Sequence, residues 1–165
     1  MIRSTTEATP LGPLTMFEHE GVVVASGFSI DRPSMRTELA ARYPNSDIRE
    51  VDTIPDISDA VRAYFGGEVA ALDAIPVSQP GTELQVAFWD AMRRVPPGKT
   101  ISYRELAESA GRPRAIRAAG TTCGKNRVAP FVPCHRIVRT GGDLGNYGYG
   151  VDSKRWLLEH EAAHA

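Results

Sequence analysis

Cysteine is scarce in this sequence of 165 residues, and no apolar run approaches the length of a membrane span. Two cysteines, Cys123 and Cys134, are too few for a disulfide framework. The first residues lack the apolar core of a signal peptide, so a cytoplasmic location is expected. Apolar residues make up 42% and charged residues 24%, which excludes the disordered, collagen-like and membrane classes.

Lysine is absent from residues 1–80, where six arginines stand against twelve acidic residues. Residues 81–165 hold thirteen basic and eight acidic residues, so the net charge of −1 conceals a strong asymmetry. The stretch from Arg93 to Arg139 is the most basic, with eleven basic residues and two acidic ones. This local excess indicates a polyanionic partner such as nucleic acid; the alternative is an unevenly charged, solvated surface.

The first 80 residues are predicted to form a small α/β domain. The predicted strands are 13–17, 22–25 and 47–51, with a hairpin turn at 18–21 between the first two. The predicted helices are 34–42 and 57–65. Ser34 is the expected cap of the first helix, and Gly66 and Gly67 are expected to end the second. No nucleophile, base or metal ligands group together here, so this domain is interpreted as a scaffold.

A loop rich in proline and glycine, from Pro76 to Gly81, predicts a boundary between domains 1–80 and 81–165. Beyond it, Thr82 is expected to cap a helix that runs to Arg94. Ser102, with Glu105 three residues later, predicts a capping box for the next helix.

The next helix, 103–110, is expected to be followed by a turn at Gly111–Pro113 and a helix from Arg114 to Gly124. Two short helices joined by a turn that contains glycine are typical of a helix-turn-helix. The second helix has two arginines, Arg114 and Arg117, among small residues that would let its backbone approach a partner closely. In a DNA-binding protein this helix enters a groove.

The chemical centre is predicted at Cys134 and His135. A thiol becomes a nucleophile when it is deprotonated, and His135 is a candidate base. Neighbouring residues of a strand point to opposite faces, so direct contact needs a bend, which Pro133 can supply, or a bridging water. Glu159 and Glu161 are candidates to orient the imidazole. The alternative is a buried cysteine beside an incidental histidine.

Other uses of these residues are less well supported. The cysteines and histidines lack the short spacing of a structural zinc site, so no metal is expected. A disulfide between Cys123 and Cys134 is compatible with their spacing but unusual in cytosol. The glycines of the segment 141–150 do not follow the strand–turn–helix pattern of a phosphate-binding loop.

Several segments together resemble a known family. Pro133–Ile137 matches the active-site motif Pro-Cys-His-Arg-Val of the O6-alkylguanine-DNA alkyltransferases, and Asn126 matches their hinge asparagine. Ser102–Ala107 is similar to the family's Ser-Tyr-x-x-Leu-Ala helix, and Ala115–Gly120 to its recognition helix. Further matches follow in the same order: Gly145–Tyr147, Lys154–Leu158 and His160–Glu161. Before Thr82 the resemblance is weaker, with Thr9–Leu14 similar to the opening strand.

The resemblance implies an α+β fold with an N-terminal ribonuclease H-like domain and a C-terminal winged-helix-like domain. It implies a DNA repair enzyme that binds duplex DNA from the minor groove and flips an O6-alkylguanine, or an O4-alkylthymine, into a pocket. Cys134 would accept the alkyl group irreversibly, in a single turnover, without metal or cofactor. The chain would act as a monomer, with clustering on DNA as an open question.

The resemblance also implies roles for individual residues. The expected relay runs from Cys134 through a water and His135 to Glu161. Three further residues are expected to assist it, by ordering the turn or neutralising the leaving guanine: Asn126, Tyr103 and Lys154. Arg117 would fill the space of the flipped base, while Tyr103 presses on its phosphate. The other expected DNA contacts are Arg114, Ala115, Ile116, Ala118 and Gly120. The expected pocket residues are Tyr147, Gly148, Tyr149, Val132 and Pro133.

The sequence departs from the family pattern at several positions. Ile116 replaces an alanine, Arg127 stands where proline is common, and Tyr149 replaces a glycine; Cys123 and Gly124 also differ. A Tyr149 ring turned into the pocket would hinder bulky alkyl groups, whereas a ring turned to solvent or DNA would change little. Two other functions stay open: a protein that marks alkylated bases without removing the group, and a helix-turn-helix regulator or redox sensor that uses the two cysteines.

Overall fold

A computed structural model describes residues 1–28 and 33–165. Its larger sheet has four strands, β1 (Ile2–Glu7), β2 (Leu14–His19), β3 (Val22–Gly27) and β4 (Ile48–Glu50). The strand order is β3-β2-β1-β4, antiparallel except for the parallel pair β1 and β4. Helices α1 (Pro33–Arg42) and α2 (Pro55–Phe65) accompany this sheet, and a 3₁₀ helix (Ala71–Ala74) follows them.

The predicted hairpin between β2 and β3 is confirmed. Its turn residues Glu20 and Gly21 both have positive φ, 51° and 84°, which suits the twist of a two-residue hairpin. Helix α1 begins at Pro33, so Ser34 lies in its first turn and the capping position falls outside the described residues. At the end of α2, the Gly66 N–H donates to the carbonyl of Arg62, as expected of a terminating glycine.

The expectation that Thr9–Leu14 forms the opening strand is wrong, because only Leu14 belongs to a strand. Thr9 organises a turn there: the Leu11 N–H donates to its Oγ1 over 3.1 Å, and the Gly12 N–H to its carbonyl over 3.0 Å. The first strand is β1, which was not predicted from the sequence. Its central residues are polar, and Ser4 and Thr5 are nevertheless buried, so an apolar pattern does not reveal it.

In the second half, Thr82 is confirmed as a helix cap and the predicted capping box at Ser102 is also confirmed. Thr82 and Gln85 exchange side-chain and backbone hydrogen bonds at the start of α3 (Glu83–Arg93). Ser102 and Glu105 do the same for α4 (Tyr103–Ser109). Ser102 also ends β5 (Ile101–Ser102), which pairs in parallel with β6 (Ile137–Val138). The chain ends in α6 (Val151–His164).

The connection inside the helix pair is longer than expected. Helix α5 (Ile116–Gly124) begins two residues after the predicted start, so Arg114 and Ala115 belong to the preceding turn. Ala115 has φ −103° and ψ 40°, outside the helical region, and its N–H closes the turn by donating to the carbonyl of Arg112.

One buried core runs across the predicted boundary at residue 80. It joins Tyr64 of α2 to Phe88 of α3, Phe131 and Leu157 of α6. Two loops also lie along β3: the Val23 N–H donates to the carbonyl of Pro76, and the Ser26 N–H to that of Arg127. The predicted α+β fold is confirmed, while the division into domains 1–80 and 81–165 stays a prediction. Within residues 1–28 and 33–165, no helix is long and apolar enough to cross a membrane.

Candidate active site

Cys134 lies in a short 3₁₀ turn, Cys134–Arg136, and not in an extended strand. Pro133 precedes this turn with φ −85° and ψ 64°, which provides the bend that the sequence suggested. All three turn residues are buried, with Cys134 8% exposed. The 3₁₀ backbone removes the strict alternation of a strand, so neighbouring side chains are no longer forced onto opposite faces.

His135 is paired with a carboxylate of α6. Its Nε2 lies 2.7 Å from Oε2 of Glu161, and both side chains are buried. Of the two carboxylates proposed from the sequence, Glu161 faces the site and Glu159 is exposed. The helix explains this selection, because residues two apart on a helix point to different faces.

Glu161 has two further partners that were not predicted from the sequence. The Arg136 guanidinium donates to both carboxylate oxygens, through Nε at 2.8 Å and Nη2 at 3.1 Å. The Tyr64 hydroxyl donates to Oε2 over 2.7 Å, although Tyr64 lies 97 residues earlier, in α2. A residue of the supposed scaffold therefore takes part in the buried hydrogen-bond network of the site. Arg136 is signalled by its place beside His135, whereas Tyr64 looks like an ordinary apolar-face residue of α2.

These contacts settle which nitrogen of His135 can act as a base. Burial alone would raise the pKa of Glu161, but the hydrogen bonds from His135 and Arg136 lower it to about 2. An ionised carboxylate accepts hydrogen bonds and does not donate, so Nε2 of His135 carries the proton. Burial lowers the pKa of His135 against the effect of Glu161, which keeps the ring neutral. The lone pair is then on Nδ1, which is buried and has no hydrogen-bond partner among residues 1–28 and 33–165.

The groups around the Cys134 thiol change its pKa in opposite directions. Burial raises its pKa, whereas a hydrogen bond from Asn126 and the nearby charge of Lys154 favour the thiolate. The Asn126 amide nitrogen lies 3.4 Å from Sγ and 2.8 Å from the carbonyl of Val132. Lys154 is fully buried and its Nζ donates to the carbonyl of Ile137 over 2.6 Å. The thiol therefore needs a base to react, and groups that stabilise its anion surround it.

A cavity of about 350 Å³ opens beside Cys134. This volume is at the small end of ligand pockets, which suits a nucleobase. Its lining comes from four segments: Tyr103, Gly120, Cys123, Gly124, Cys134, Arg139, Asn146, Tyr147 and Gly148. The hydroxyl of Tyr147 is buried and has no hydrogen-bond partner within the part of the chain that the structure describes, so it can hydrogen-bond a ligand. Four of the lining residues were not among the expected site residues: Cys123, Gly124, Arg139 and Asn146.

Three of the residues expected in the pocket do not line this cavity: Val132, Pro133 and Tyr149. The Tyr149 ring packs edge-on against Phe28 and Tyr147, with centroid distances of 5.5 Å and 5.6 Å. Its hydroxyl end approaches Gly27 so closely that a Cβ there would overlap it. Tyr149 therefore supports Tyr147 from behind, where β3 ends, and leaves the cavity open.

Helix α5 presents a narrow open face beside the cavity. Arg117 and Gly120 are exposed, and Gly120 also lines the cavity; a Cβ on Gly120 would meet nothing within 4 Å. Arg114 is exposed in the turn before the helix. The other residues expected at DNA are half-buried and pack against the core: Ala115, Ile116 and Ala118. A partner at this open face would lie directly over the cavity mouth.

The surface is less basic than the sequence count suggests, because some of the basic side chains are buried or paired within the protein. Arg136 is 2% exposed and neutralised by Glu161. Arg93 donates to the carbonyls of Leu72 and Ile75, and Arg127 forms an ion pair with Glu38 at 2.8 Å. The exposed arginines of the α4–α5 region therefore carry much of the remaining charge.

The structure contains no grouping of three or more histidine, cysteine, aspartate or glutamate side chains suited to a metal ion within residues 1–28 and 33–165. Cys123 and Cys134 are both free thiols, and both line the cavity. Cys123 is the weaker candidate for the nucleophile, because the Asn126 amide donates to Cys134 and burial strongly raises the pKa of the Cys123 thiol.

Fold and site together define an α+β protein with a helix pair, a buried cysteine at a cavity and a buried His135–Glu161 pair next to that cysteine in the sequence. Residues 83–163 match the family model "6-O-methylguanine DNA methyltransferase, DNA binding domain". The methylated-DNA–protein-cysteine methyltransferase of Salmonella typhimurium is 37% identical over 157 residues, 93% of this chain and 92% of that protein. The Mycobacterium tuberculosis protein of the same name is 34% identical and is matched over all of this chain and 95% of its own.

Solved structures agree with these relatives. The crystal structure of Mycobacterium tuberculosis O6-methylguanine methyltransferase matches with a TM-score of 0.83 at 32% identity, covering 100% of this chain and 95% of that one. The same organism's OGT in complex with DNA matches with a TM-score of 0.82 over 99% and 94%. The chain belongs to the methylated-DNA–protein-cysteine methyltransferase family, whose members repair DNA by moving an alkyl group onto a cysteine of their own.

Proposed function

We propose that this chain repairs duplex DNA by transferring an alkyl group from O6 of guanine, and from O4 of thymine, to Sγ of Cys134. The observation that supports this proposal most directly is the arrangement at one cavity. Sγ of Cys134 lies at the wall of a space suited to a base, and the His135–Glu161 pair is buried next to Cys134. Family membership supports the reaction type, and the geometry supports the choice of atoms.

The reaction begins with proton removal from Cys134. Nδ1 of His135 takes the thiol proton, directly or through a water, because this nitrogen carries no proton and has no hydrogen-bond partner among the described residues. Glu161 stabilises the imidazolium that results, and its ionised state allows this at neutral pH. The thiolate sulfur then bonds to the alkyl carbon while the bond from that carbon to the base oxygen breaks.

The leaving base gains negative charge as this bond breaks. Two groups are placed to reduce that charge: the Tyr103 hydroxyl, whose ring lines the cavity, and the buried Lys154 ammonium behind it. Because the thioether formed on Cys134 has no leaving group, the protein is used once. The proposed reaction accordingly uses neither metal nor diffusible cofactor.

DNA approaches from the open face of α5. A base inside the stack is out of reach of Sγ, so it is extruded into the cavity. Arg117 and Gly120 are exposed beside the cavity mouth, so Arg117 can enter the space that the base leaves. We place the phosphate of the flipped nucleotide against Tyr103, and the chain acts as a monomer.

Two variants test the proposal and its nearest competitor. With a duplex that contains one O6-methylguanine, Cys134→Ser is expected to bind but not to remove the methyl group. Cys123→Ser, the matched control, is expected to keep the activity. Removal of methyl by Cys134→Ser would overturn the assignment, and unchanged lesion with tight binding by the wild-type protein would favour a lesion-marking protein.

A further inference from the structure

The Asn126 side chain presents a different group to each of its two sides. Its Nδ2 donates to the carbonyl of Val132 and to Sγ of Cys134. Its Oδ1 accepts hydrogen bonds from the Val128 N–H over 3.1 Å and from Nε2 of Gln79 over 3.0 Å. A rotation of the amide by 180° would turn an oxygen, not an N–H, toward the sulfur. The orientation of this amide therefore decides whether the Cys134 thiolate meets a donor or an acceptor.

Gln79 reinforces this orientation, which the Val128 N–H and the Val132 carbonyl also favour, because its Nε2 is a second donor to Oδ1 of Asn126. It lies in the loop before α3, and its carboxamide bridges two consecutive residues after α5: Nε2 donates to Asn126, and Oε1 accepts the Arg127 N–H over 2.8 Å. Because the backbone N–H of Arg127 can only donate, it fixes Oε1 and thereby directs Nε2 of Gln79 toward Asn126. The side-chain amides of Gln79 and Asn126 thus form a hydrogen-bonded series that runs from the Arg127 N–H to Sγ of Cys134.

This series depends on the backbone N–H of residue 127. A proline at this position would have no N–H and could not hold Oε1 of Gln79. The Arg127 side chain takes no part in this series, because it pairs with Glu38. The backbone of residue 127 and its side chain can therefore be tested independently.

We propose that Gln79 is a positioning residue for the nucleophile: through Asn126 it keeps an N–H directed at Sγ of Cys134 and so favours the reactive thiolate. The role concerns the cysteine of the proposed repair reaction and rests on that function. Loss of the hydrogen bond between the Gln79 and Asn126 side chains corresponds to a loss of reactivity of up to about tenfold at neutral pH.

Other groups also act on the Cys134 thiol and must stay constant in a test. They come from α4, α5, α6 and the segment 135–147: Tyr103, Cys123, Lys154, His135, Arg139 and Tyr147. The hydrogen bonds of Gln79 to Asn126 and Arg127 involve none of them. The variants chosen for the test change no residue of this group and add no charge near the sulfur.

The test measures alkylation of Cys134 by iodoacetamide as a function of pH, with the modified peptide identified by mass so that Cys123 is counted separately. We expect Gln79→Leu and Arg127→Pro to react up to about tenfold more slowly at pH 7, with the midpoint of the pH profile moved upward. Arg127→Ala, which keeps the N–H but loses the Glu38 ion pair, is expected to match the wild-type profile. Thermal unfolding of each variant verifies its fold.

The outcomes separate the possibilities. Wild-type pH profiles for both Gln79→Leu and Arg127→Pro would overturn the proposal, as would a lower melting temperature with an unmoved midpoint, which indicates a purely structural bridge. An equal shift of the midpoint in Arg127→Ala would show that the ion pair with Glu38 causes the effect, and this result would also overturn the proposal. Because iodoacetamide needs neither DNA nor lesion, the result stands even if the chain failed to repair O6-methylguanine.

Discussion

Replacing Tyr64 by phenylalanine tests how far the N-terminal half contributes to the site. The change removes one hydroxyl, which donates to Oε2 of Glu161 over 2.7 Å in a fully buried position. Glu161 keeps its bonds from His135 and Arg136, so no charge is left without a partner. We therefore expect the loss of one charge-assisted hydrogen bond and little else.

The magnitude follows from that contact. A hydrogen bond to a charged group contributes about 1.5–3 kcal/mol, so the free energy of unfolding is expected to fall by about 2 kcal/mol. For a chain of this length this corresponds to a melting temperature lower by about 4–8 °C. Methyl transfer is expected to stay within about tenfold of wild type, because the His135–Glu161 pair survives.

Urea unfolding and single-turnover repair of an O6-methylguanine duplex measure the two effects. Tyr43→Phe is the matched control: its ring packs on His19 near the surface at a centroid distance of 4.5 Å, and its loss of stability is expected to be within about 0.5 kcal/mol. An unchanged stability of Tyr64→Phe would refute the reasoning. Complete loss of transfer in a folded Tyr64→Phe would also refute it, since the relay would then require a hydroxyl to which we assign only a supporting role.

Three further predictions follow from the site. Arg117→Ala is expected to slow repair of duplex DNA far more than reaction with free O6-methylguanine, which needs no extrusion; equal losses would place Arg117 in the fold or the active site. Because Tyr149 lies behind Tyr147 and outside the cavity, Tyr149→Gly is expected to leave the ratio of benzyl to methyl transfer unchanged, and a selective gain for benzyl would contradict this. The pKa of Glu161 is lowered from 4.5 to about 2, so its stabilising contribution is complete above pH 4.5 and is lost as the pH falls toward 2. Acid unfolding followed by circular dichroism should show a loss of about 3 kcal/mol in this window, and a flat stability between pH 5 and 2 would contradict it.

The sequence predicted those parts of the site that are close together along the chain. Cys134 and His135 are adjacent, and the capping box of α4 depends on residues three positions apart. Such patterns carry their physical reason within a few residues. Glu161 was one of two candidates, and the choice between them depended on which face of α6 turns inward.

Contacts between residues that are far apart in the sequence could not be predicted in this way. Tyr64 meets Glu161 across 97 positions, and Gln79 meets Asn126 across 47, and neither side chain differs locally from an ordinary core or loop residue. The direction of Tyr149 was left open for the same reason, because it is set by packing against Phe28 at the end of β3. The strand β1 was missed because its buried residues include Ser4 and Thr5, which no apolar pattern reveals.

The proposed repair reaction depends on one covalent event, which mass spectrometry detects directly. The wild-type protein is incubated with a small excess of duplex that carries one O6-methylguanine, and the digested peptides are weighed. We predict a mass increase of one methyl group on the peptide that contains Cys134, at no more than one per chain, with the Cys123 peptide unchanged. A methyl group on Cys123, or repaired DNA with an unmodified Cys134, would contradict the proposal.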